Sequence, residues 1–230
     1  MNKQLNLGSP VDELLDRLYT QHGSQNEAME SYYTARAKEG SLNWNTMDTR
    51  TTEFLSDKLV ALDRNKAEFC YQVCRSLGAR RIVEAGTSFG VSTMFLAAAV
   101  RDNVRAKGGD GVVIATEHEP NKVKAARANF TEASLAQFID LREGDLRQML
   151  ADVGGPVDFM LVDIWTPMAR PALELVARRL REGAVVICDN TEQFRHAYND
   201  YFTFVNDPAN KFHTMTLPFQ GGLEFTVRCG

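Results

Sequence analysis

The stretch RIVEAGTSFGVS, residues 81–92, decides the fold class of this chain. It begins with a short apolar run, Arg81 to Glu84, passes through a glycine-rich turn and leads into an apolar helical segment from Gly90 to Val100. A strand, a glycine turn and a helix in this order start a β-α-β unit. Such a turn brings backbone close to a ligand, and the next helix offers free N–H groups to an anion. It lacks the GxGxxG dinucleotide fingerprint, so alone it predicts either a ligand loop or a plain tight turn.

The alternation of strands and helices continues to the C-terminus. Four further strands are predicted at 111–116, 138–141, 157–162 and 183–188. Helices are predicted at 120–130, 145–151, 169–180 and 194–205, and two closing strands at 212–217 and 223–227. This order predicts an α/β fold with a Rossmann-like, mostly parallel sheet, helices on both faces and an antiparallel C-terminal hairpin strand.

The first 50 residues lie outside this alternation. They contain two predicted helices, at 11–22 and 26–38, whereas a third helical region at 51–77 is assigned to the main domain, residues 51–230. We therefore predict an N-terminal helical extension over residues 1–50 that forms a lid or a dimer contact. Its aromatic residues Tyr32, Tyr33 and Trp44 favour a homodimer interface, although a lid over the chain's own site explains them nearly as well.

Composition narrows the function classes. The chain has 230 residues, 44% of them hydrophobic, and a formal net charge of −4. An acidic chain has no general attraction for nucleic acid. The sequence contains no run of about 18 apolar residues, the length that a membrane span would need. The polar first ten residues lack a signal-peptide core. Four cysteines without a CxxC pair predict reduced, packed thiols, so we expect a cytoplasmic protein.

Candidate functional residues follow the predicted strands, since ligands of such sheets bind beyond the strands' carboxyl ends. Glu117, after the second strand, is placed to accept hydrogen bonds from ribose hydroxyls, although a solvated loop carboxylate would look the same. His118 beside it either flanks a base or lies at the surface. Asp163, Asp189 and Asn190 follow the fourth and fifth strands. Their oxygens suit Mg²⁺ or Ca²⁺, and the alternative is that they cap the following helices.

Five short motifs together resemble the catechol and caffeoyl-CoA O-methyltransferases. They are LDRNK (62–66), EAGTSFGVS (84–92), DIW (163–165), CDN (188–190) and GLE (222–224), and the resemblance covers about Leu62 to the C-terminus. It implies an S-adenosylmethionine-dependent O-methyltransferase for a small catechol-like or vicinal-hydroxyl acceptor. The implied cofactor-binding residues are Glu84, Gly86, Thr87, Ser88, Gly90, Ser92, Glu117, His118, Asp145, Asp163 and Trp165.

The resemblance also implies a role for each part of the site. The loop from Gly86 to Gly90 would hold the methionine end of the cofactor and Ser92 its carboxylate, while Asp145 and Trp165 would lie at the adenine. Glu117 would hold the ribose. The implied metal ligands are Asp163, Asp189 and Asn190. The metal, Mg²⁺ first with Ca²⁺ or Mn²⁺ as alternatives, would orient the acceptor's two oxygens, and the catalytic residue would be Asp163.

Two departures from the family pattern stand out. Thr166 occupies the position of the family's lysine, which is thought to act as a general base, so the metal alone or one of Lys66, Lys211 and His213 would have to replace it. The family's substrate-side glutamate has no counterpart near Met215.

Three other functions are considered. A nicotinamide-dependent oxidoreductase is disfavoured by the missing fingerprint. A methyltransferase-like binding module without turnover is suggested by Thr166, and a methyltransferase for a modified tRNA base is disfavoured by the acidic charge.

Overall fold

The computed structural model describes residues 5–46 and 48–230. Within these residues seven strands form one sheet in the order β3-β2-β1-β4-β5-β7-β6. The strands are β1 (Arg81–Ala85), β2 (Val112–Glu117), β3 (Ile139–Glu143), β4 (Val157–Val162), β5 (Leu180–Asp189), β6 (Phe212–Leu217) and β7 (Leu223–Arg228). The first five run parallel, and β7 runs antiparallel to β5 and β6. The predicted fold class is confirmed.

Helices cover both faces of the sheet. The described α-helices are α1 (Val11–Ser24), α2 (Asn26–Lys38), α3 (Thr49–Leu55), α4 (Arg64–Leu77), α5 (Val91–Lys107), α6 (Pro120–Glu132), α7 (Leu146–Met149), α8 (Thr166–Ala177) and α9 (Asn199–Asn206). Apolar residues of α1, α4, α5 and α6 form the core on one face, and those of α7, α8 and α9 form the core on the other.

Alternation along the strands explains the two cores. In β4, Phe159 and Leu161 belong to the first core, whereas Met160 and Val162 belong to the second. Successive strand side chains point to opposite faces, so a strand covered on both faces reads as a continuous apolar run.

The helical region predicted at 51–77 is two helices, α3 and α4, because residues 56–63 find other partners. Gln25 pairs with Leu59 through both of its amide atoms: the Leu59 amide donates to Oε1 at 3.1 Å, and Nε2 donates to the Leu59 carbonyl at 3.0 Å. Asp63 then takes an extended conformation immediately before α4. Side-chain hydrogen bonds from Gln25, at the junction of α1 and α2, therefore replace the local helical ones.

The N-terminal helices are joined closely to the rest of the protein. Leu14, Leu15 and Leu18 of α1 are buried in the same core as α4 and α5. Residues 1–4 and 47 of the predicted extension lie outside the described residues, and its boundary at residue 50 stays a prediction. All four cysteines are free, and Cys70, Cys74 and Cys188 are buried. Across the described ranges, no helix is both long and apolar enough to cross a bilayer.

The strand order positions the functional site. From β1 the chain builds the sheet in one direction through β2 and β3, and then in the other through β4 and β5. The connections diverge between β1 and β4, and a crevice opens at the carboxyl ends of the strands at this switch point.

Candidate functional site

A cavity of about 1400 Å³ opens at this edge of the sheet. One end is lined by the β1–α5 turn and Glu117, the middle by Asp163 and Trp165, and the far end by aromatic residues of the α2–α3 and β5–α9 connections. Pockets for a single small ligand are typically about 300–1,000 Å³, so this cavity has room for two ligands side by side.

The β1–α5 turn brings bare backbone to the cavity. Gly86 has a φ of +96°, and a Cβ there would lie 2.0 Å from the carbonyl oxygen of Asp163, so only glycine fits. Ser88 also has a positive φ, 50°. Its buried hydroxyl has no hydrogen-bond partner among the described residues, which is unusual for a buried polar group.

Glu84 supports this turn from beneath. Its side chain is fully buried and accepts hydrogen bonds from the hydroxyls of Thr87, Ser92 and Thr93. Burial raises the pKa of Glu84 to about 7, and the three hydroxyl hydrogen bonds oppose the rise. The Ser92 hydroxyl donates to Glu84 at 2.7 Å, so the available donor for a cofactor carboxylate is Ser88 rather than Ser92.

Glu117 faces the cavity with its carboxylate held by backbone. Oε2 accepts from the amide of Ser88 at 2.8 Å, and Oε1 accepts from the amides of His118 and Glu119 at 2.7 and 3.0 Å. A carboxylate offers about four acceptor positions, so one remains for a hydroxyl of a ligand. The geometry therefore fits the predicted ribose contact, and the same contacts fix the turn that contains Ser88.

The predicted adenine-side residues lie farther along the same wall. Asp145, Trp165 and His118 all line the cavity. Asp145 also caps α7, since its Oδ1 accepts from the amide of Arg147 at 2.8 Å. The His118 ring is half-exposed, with its nitrogens 3.4 Å from Glu117 and 3.3 Å from Glu119.

The residues predicted to bind a metal are brought together, but a lysine lies among them. Val162 pairs with Cys188 across β4 and β5, so Asp163 and Asp189 follow neighbouring strands at the same level. Nζ of Lys66, on α4, lies 2.7 Å from Oδ1 of Asp189. Burial raises the pKa of Asp163 and of Asp189, the charge of Asp189 raises that of Asp163 further, and the charge of Lys66 lowers both.

These residues do not fit a divalent cation. Mg²⁺ binds oxygen at about 2.1 Å, so on Oδ1 of Asp189 it would lie no farther than about 4.8 Å from Nζ of Lys66. At an effective dielectric constant of about 20, repulsion at that distance is on the order of 7 kcal/mol and offsets part of the attraction between the cation and the carboxylates. Oδ2 of Asp189 accepts from Nδ2 of Asn190 at 2.9 Å. The amide oxygen of Asn190 instead faces Gly221, 2.6 Å from where a Cβ would stand.

In the part of the chain that the structure describes, no group of three or more histidine, cysteine, aspartate or glutamate side chains is arranged to hold a metal ion. The set Asp163, Asp189 and Asn190 contains only two side chains of these types, so the observation that disfavours a cation there is the buried ammonium of Lys66.

The far end of the cavity is an aromatic wall, formed by Tyr33, Trp44 and Phe194 and adjoined by Trp165 from the middle of the cavity. The ring centroids of Trp44 and Phe194 are 4.2 Å apart, those of Tyr33 and Trp44 are 5.4 Å apart, and those of Trp44 and Trp165 are 6.0 Å apart. The hydroxyl of Thr166 donates to the backbone carbonyl of Trp44. Thr166, which stands where the family has its lysine, therefore links the segment containing Trp44 to the start of α8.

A buried arginine holds the segment that contains Trp44, residues 39–46, which we call the Trp44 loop. The guanidinium of Arg36 donates to the carbonyl of Ser41 at 2.7 Å and to Oδ1 of Asp48 at 3.0 Å. Tyr32, also predicted to lie at a dimer interface, instead stacks on Phe54 with centroids 3.8 Å apart. Trp44 therefore contacts residues of its own chain at the cavity, and whether residues 1–50 form a lid or a dimer contact stays a prediction.

The other candidate replacements for the family's lysine lie away from the cavity. His213 lies on β6, two strands away from β5. Through its partner Val227 it is level with Val185, which is four residues before the end of β5. Lys211 immediately precedes β6, which is the edge strand of the sheet. Of the three candidates, Lys66 alone reaches the carboxylates at the strand ends.

Comparison with known proteins agrees with the site. Residues 83–191 match the family model described as a methyltransferase domain. A catechol O-methyltransferase of Mycobacterium tuberculosis is 29% identical over 132 residues, which are 57% of this chain and 57% of that protein. The chain thus matches a little over half the length of this curated relative.

Solved structures show the same fold. An O-methyltransferase from Bacillus cereus in complex with SAH has a TM-score of 0.60 at 22% identity, covering 78% of this chain and 97% of its own. A Streptomyces achromogenes O-methyltransferase involved in tomaymycin synthesis, in complex with SAM, has a TM-score of 0.63 at 20% identity, covering 80% and 92%. The predicted resemblance to the O-methyltransferases is confirmed.

Proposed function

We propose that this protein, which carries a methyltransferase domain in the fold of the S-adenosylmethionine-dependent O-methyltransferases, transfers the cofactor's methyl group to a hydroxyl oxygen of a small, flat acceptor. The observation that carries the proposal is the single continuous cavity. Its one end has the serine donor and the glutamate acceptor that an amino acid carboxylate and a ribose require, and its other end has an apolar aromatic wall.

The cofactor supplies an electrophilic methyl group on a positively charged sulfur. The protein's part is to hold both reactants in line, which alone supplies a large share of the acceleration in such transfers. Ser88 binds the carboxylate of the cofactor's amino acid, and Glu117 binds the cofactor's ribose. As the O–CH₃ bond forms and the S–CH₃ bond breaks, Asp163 takes the hydroxyl proton, because its raised pKa makes its carboxylate a better base than an exposed one.

The aromatic wall supports a planar acceptor. The ring centroid of Trp44 lies 4.2 Å from that of Phe194 and 6.0 Å from that of Trp165, and flat aromatic ligands stack on such surfaces. A phenol with a neighbouring hydroxyl fits best, since Asn190 and Asp163 both line the cavity beside the wall and offer polar partners for two oxygens. The divalent cation forms no part of the proposal.

The proposal is tested by incubating the protein with isotope-labelled S-adenosylmethionine and a panel of mono- and dihydroxylated aromatic compounds. We expect label to appear as an O-methyl ether of a phenol with vicinal hydroxyls, together with S-adenosylhomocysteine. The control is Asp163→Asn, which keeps the shape of the side chain and removes the proton acceptor. Labelling only of nitrogen or carbon would contradict the proposal.

The same assay separates the alternatives. Tight binding of S-adenosylhomocysteine with no methylated product across the panel would favour a binding module without turnover. Label transferred to total tRNA rather than to any phenol would favour a modified-base methyltransferase.

A further inference from the structure

The buried ammonium of Lys66 lies where the sequence motifs place a metal. Its side chain is 1% exposed, Nζ is 2.7 Å from Oδ1 of Asp189, and Oδ2 of Asp63 is 3.4 Å away on the other side. Asp189 is itself buried, 4% exposed. Lys66 and Asp189 therefore form an interior ion pair, which solvent and salt screen much less than a surface pair.

Charge explains why lysine and carboxylates occur together here. Asp163 and Asp189 follow adjacent parallel strands and repel each other across the end of the sheet, which an internal positive charge relieves. A buried ammonium without a partner is equally costly. Lys66 and Asp189 thus explain each other's burial, and this ion pair by itself carries no net charge.

The hydrogen bonds of the neighbours agree with an internal cation. Asn190 turns its NH₂ group toward Asp189 and its oxygen toward Gly221, so it completes a set of donors around the carboxylate. A metal site would need that amide oxygen, and not the NH₂ group, directed to the same point as the carboxylates.

We propose that Lys66 is the resident cation of this site: its ammonium takes the place of the divalent metal, holds Asp189 in position behind the cavity and makes the protein independent of metal ions. Lys66 does not line the cavity, so it is a positioning residue that acts through Asp189 and its neighbours. The consequence for methyl transfer rests on the proposed function, whereas the ion-binding test below needs no turnover.

The test is a Mn²⁺ titration followed by electron paramagnetic resonance, which measures the free ion. We expect wild-type protein to leave Mn²⁺ free up to about 1 mM. Lys66→Met removes the charge but keeps the length of the side chain, and should create one Mn²⁺ site per chain with a dissociation constant at least about tenfold lower. Adding Asp189→Asn to this variant should abolish the site. Lys58→Met, which removes a lysine paired with Asp57 elsewhere, is the matched control and should bind no ion.

Two results would overturn the proposal. One is stoichiometric Mn²⁺ binding by the wild type that Asp189→Asn removes. The other is a Lys66→Met variant that still binds S-adenosylhomocysteine, and so is folded, yet gains no ion. If Lys66→Met does not fold, the wild-type titration decides by itself. Once an acceptor is known, wild-type turnover should be unchanged by excess chelator, and turnover of Lys66→Met should require added metal. A failed search for an acceptor would count against the proposed function and leave the ion-binding results as they stand.

Discussion

Replacing Glu117 by alanine should weaken cofactor binding, because this carboxylate is the acceptor offered to the ribose. Hydrogen bonds to a charged group contribute about 1.5–3 kcal/mol each. Three of the carboxylate's acceptor positions already serve backbone amides, so the structure leaves room for one strong ligand bond. Losing it should raise the dissociation constant by about 10- to 150-fold.

The assay is calorimetric titration of S-adenosylhomocysteine, which binds without reacting. The matched control is Glu119→Ala, which removes the same charge two residues away. Glu119 makes no side-chain cap to α6, so Glu119→Ala should change the dissociation constant for S-adenosylhomocysteine by less than about threefold.

Two outcomes would refute this reasoning. A folded Glu117→Ala protein with an unchanged dissociation constant would show that the carboxylate only braces the turn. Equal losses in both variants would show that the general negative field at the end of β2 matters, and not a specific hydrogen bond.

Four further outcomes are expected. Gly86→Ala should lower the free energy of unfolding in denaturant by at least about 3 kcal/mol, because its Cβ would meet the carbonyl of Asp163, whereas Gly108→Ala, with φ +72° and open space, should lose about 1–2 kcal/mol. The pKa of Glu84 is about 7 in the folded protein, above its ordinary value of 4.5. The contribution of Glu84 to the free energy of unfolding is therefore fully present below pH 4.5 and falls by about 3 kcal/mol as the pH rises to 7. Glu84→Gln should remove this pH dependence when unfolding is measured across that range. Trp44→Ala should raise the acceptor's KM about tenfold and leave cofactor affinity unchanged in steady-state kinetics and calorimetry. Light scattering at micromolar concentration should show the predicted homodimer, and a monomer would remove that prediction.

The elements that the sequence predicts best are those whose pattern is local. The central parallel strands were predictable because strands covered on both faces read as apolar runs, and the two closing strands because a Gln220–Gly222 turn separates them. The glycine turn after β1 marks where the backbone must approach a ligand. Glu117 was predictable for the same reason, since a strand end determines where its side chain lies.

The features that the sequence could not predict depend on distant contacts. Lys66 and Asp189 are separated by 123 positions, and no local pattern indicates which lysine reaches a given strand end. Phe194 was predicted to lie in a helix. In the structure the amides of Glu192 and Gln193 bond instead to the carbonyl of Gly221, at 2.9 Å each, and this turn directs Phe194 to the cavity. The composition of the segment gives no sign of that contact.

The placement of the two tryptophans has an optical consequence. The chain contains only Trp44 and Trp165, and both line the cavity with ring centroids 6.0 Å apart. All tryptophan emission from the unlabelled protein therefore originates where cofactor and acceptor would meet. At this separation the two indoles exchange excitation, so quenching of either one dims both, and a Trp44→Phe variant isolates the signal of Trp165. The protein thus contains its own fluorescent probe of the cavity, and binding of a ligand that does not react can be followed in real time without a dye.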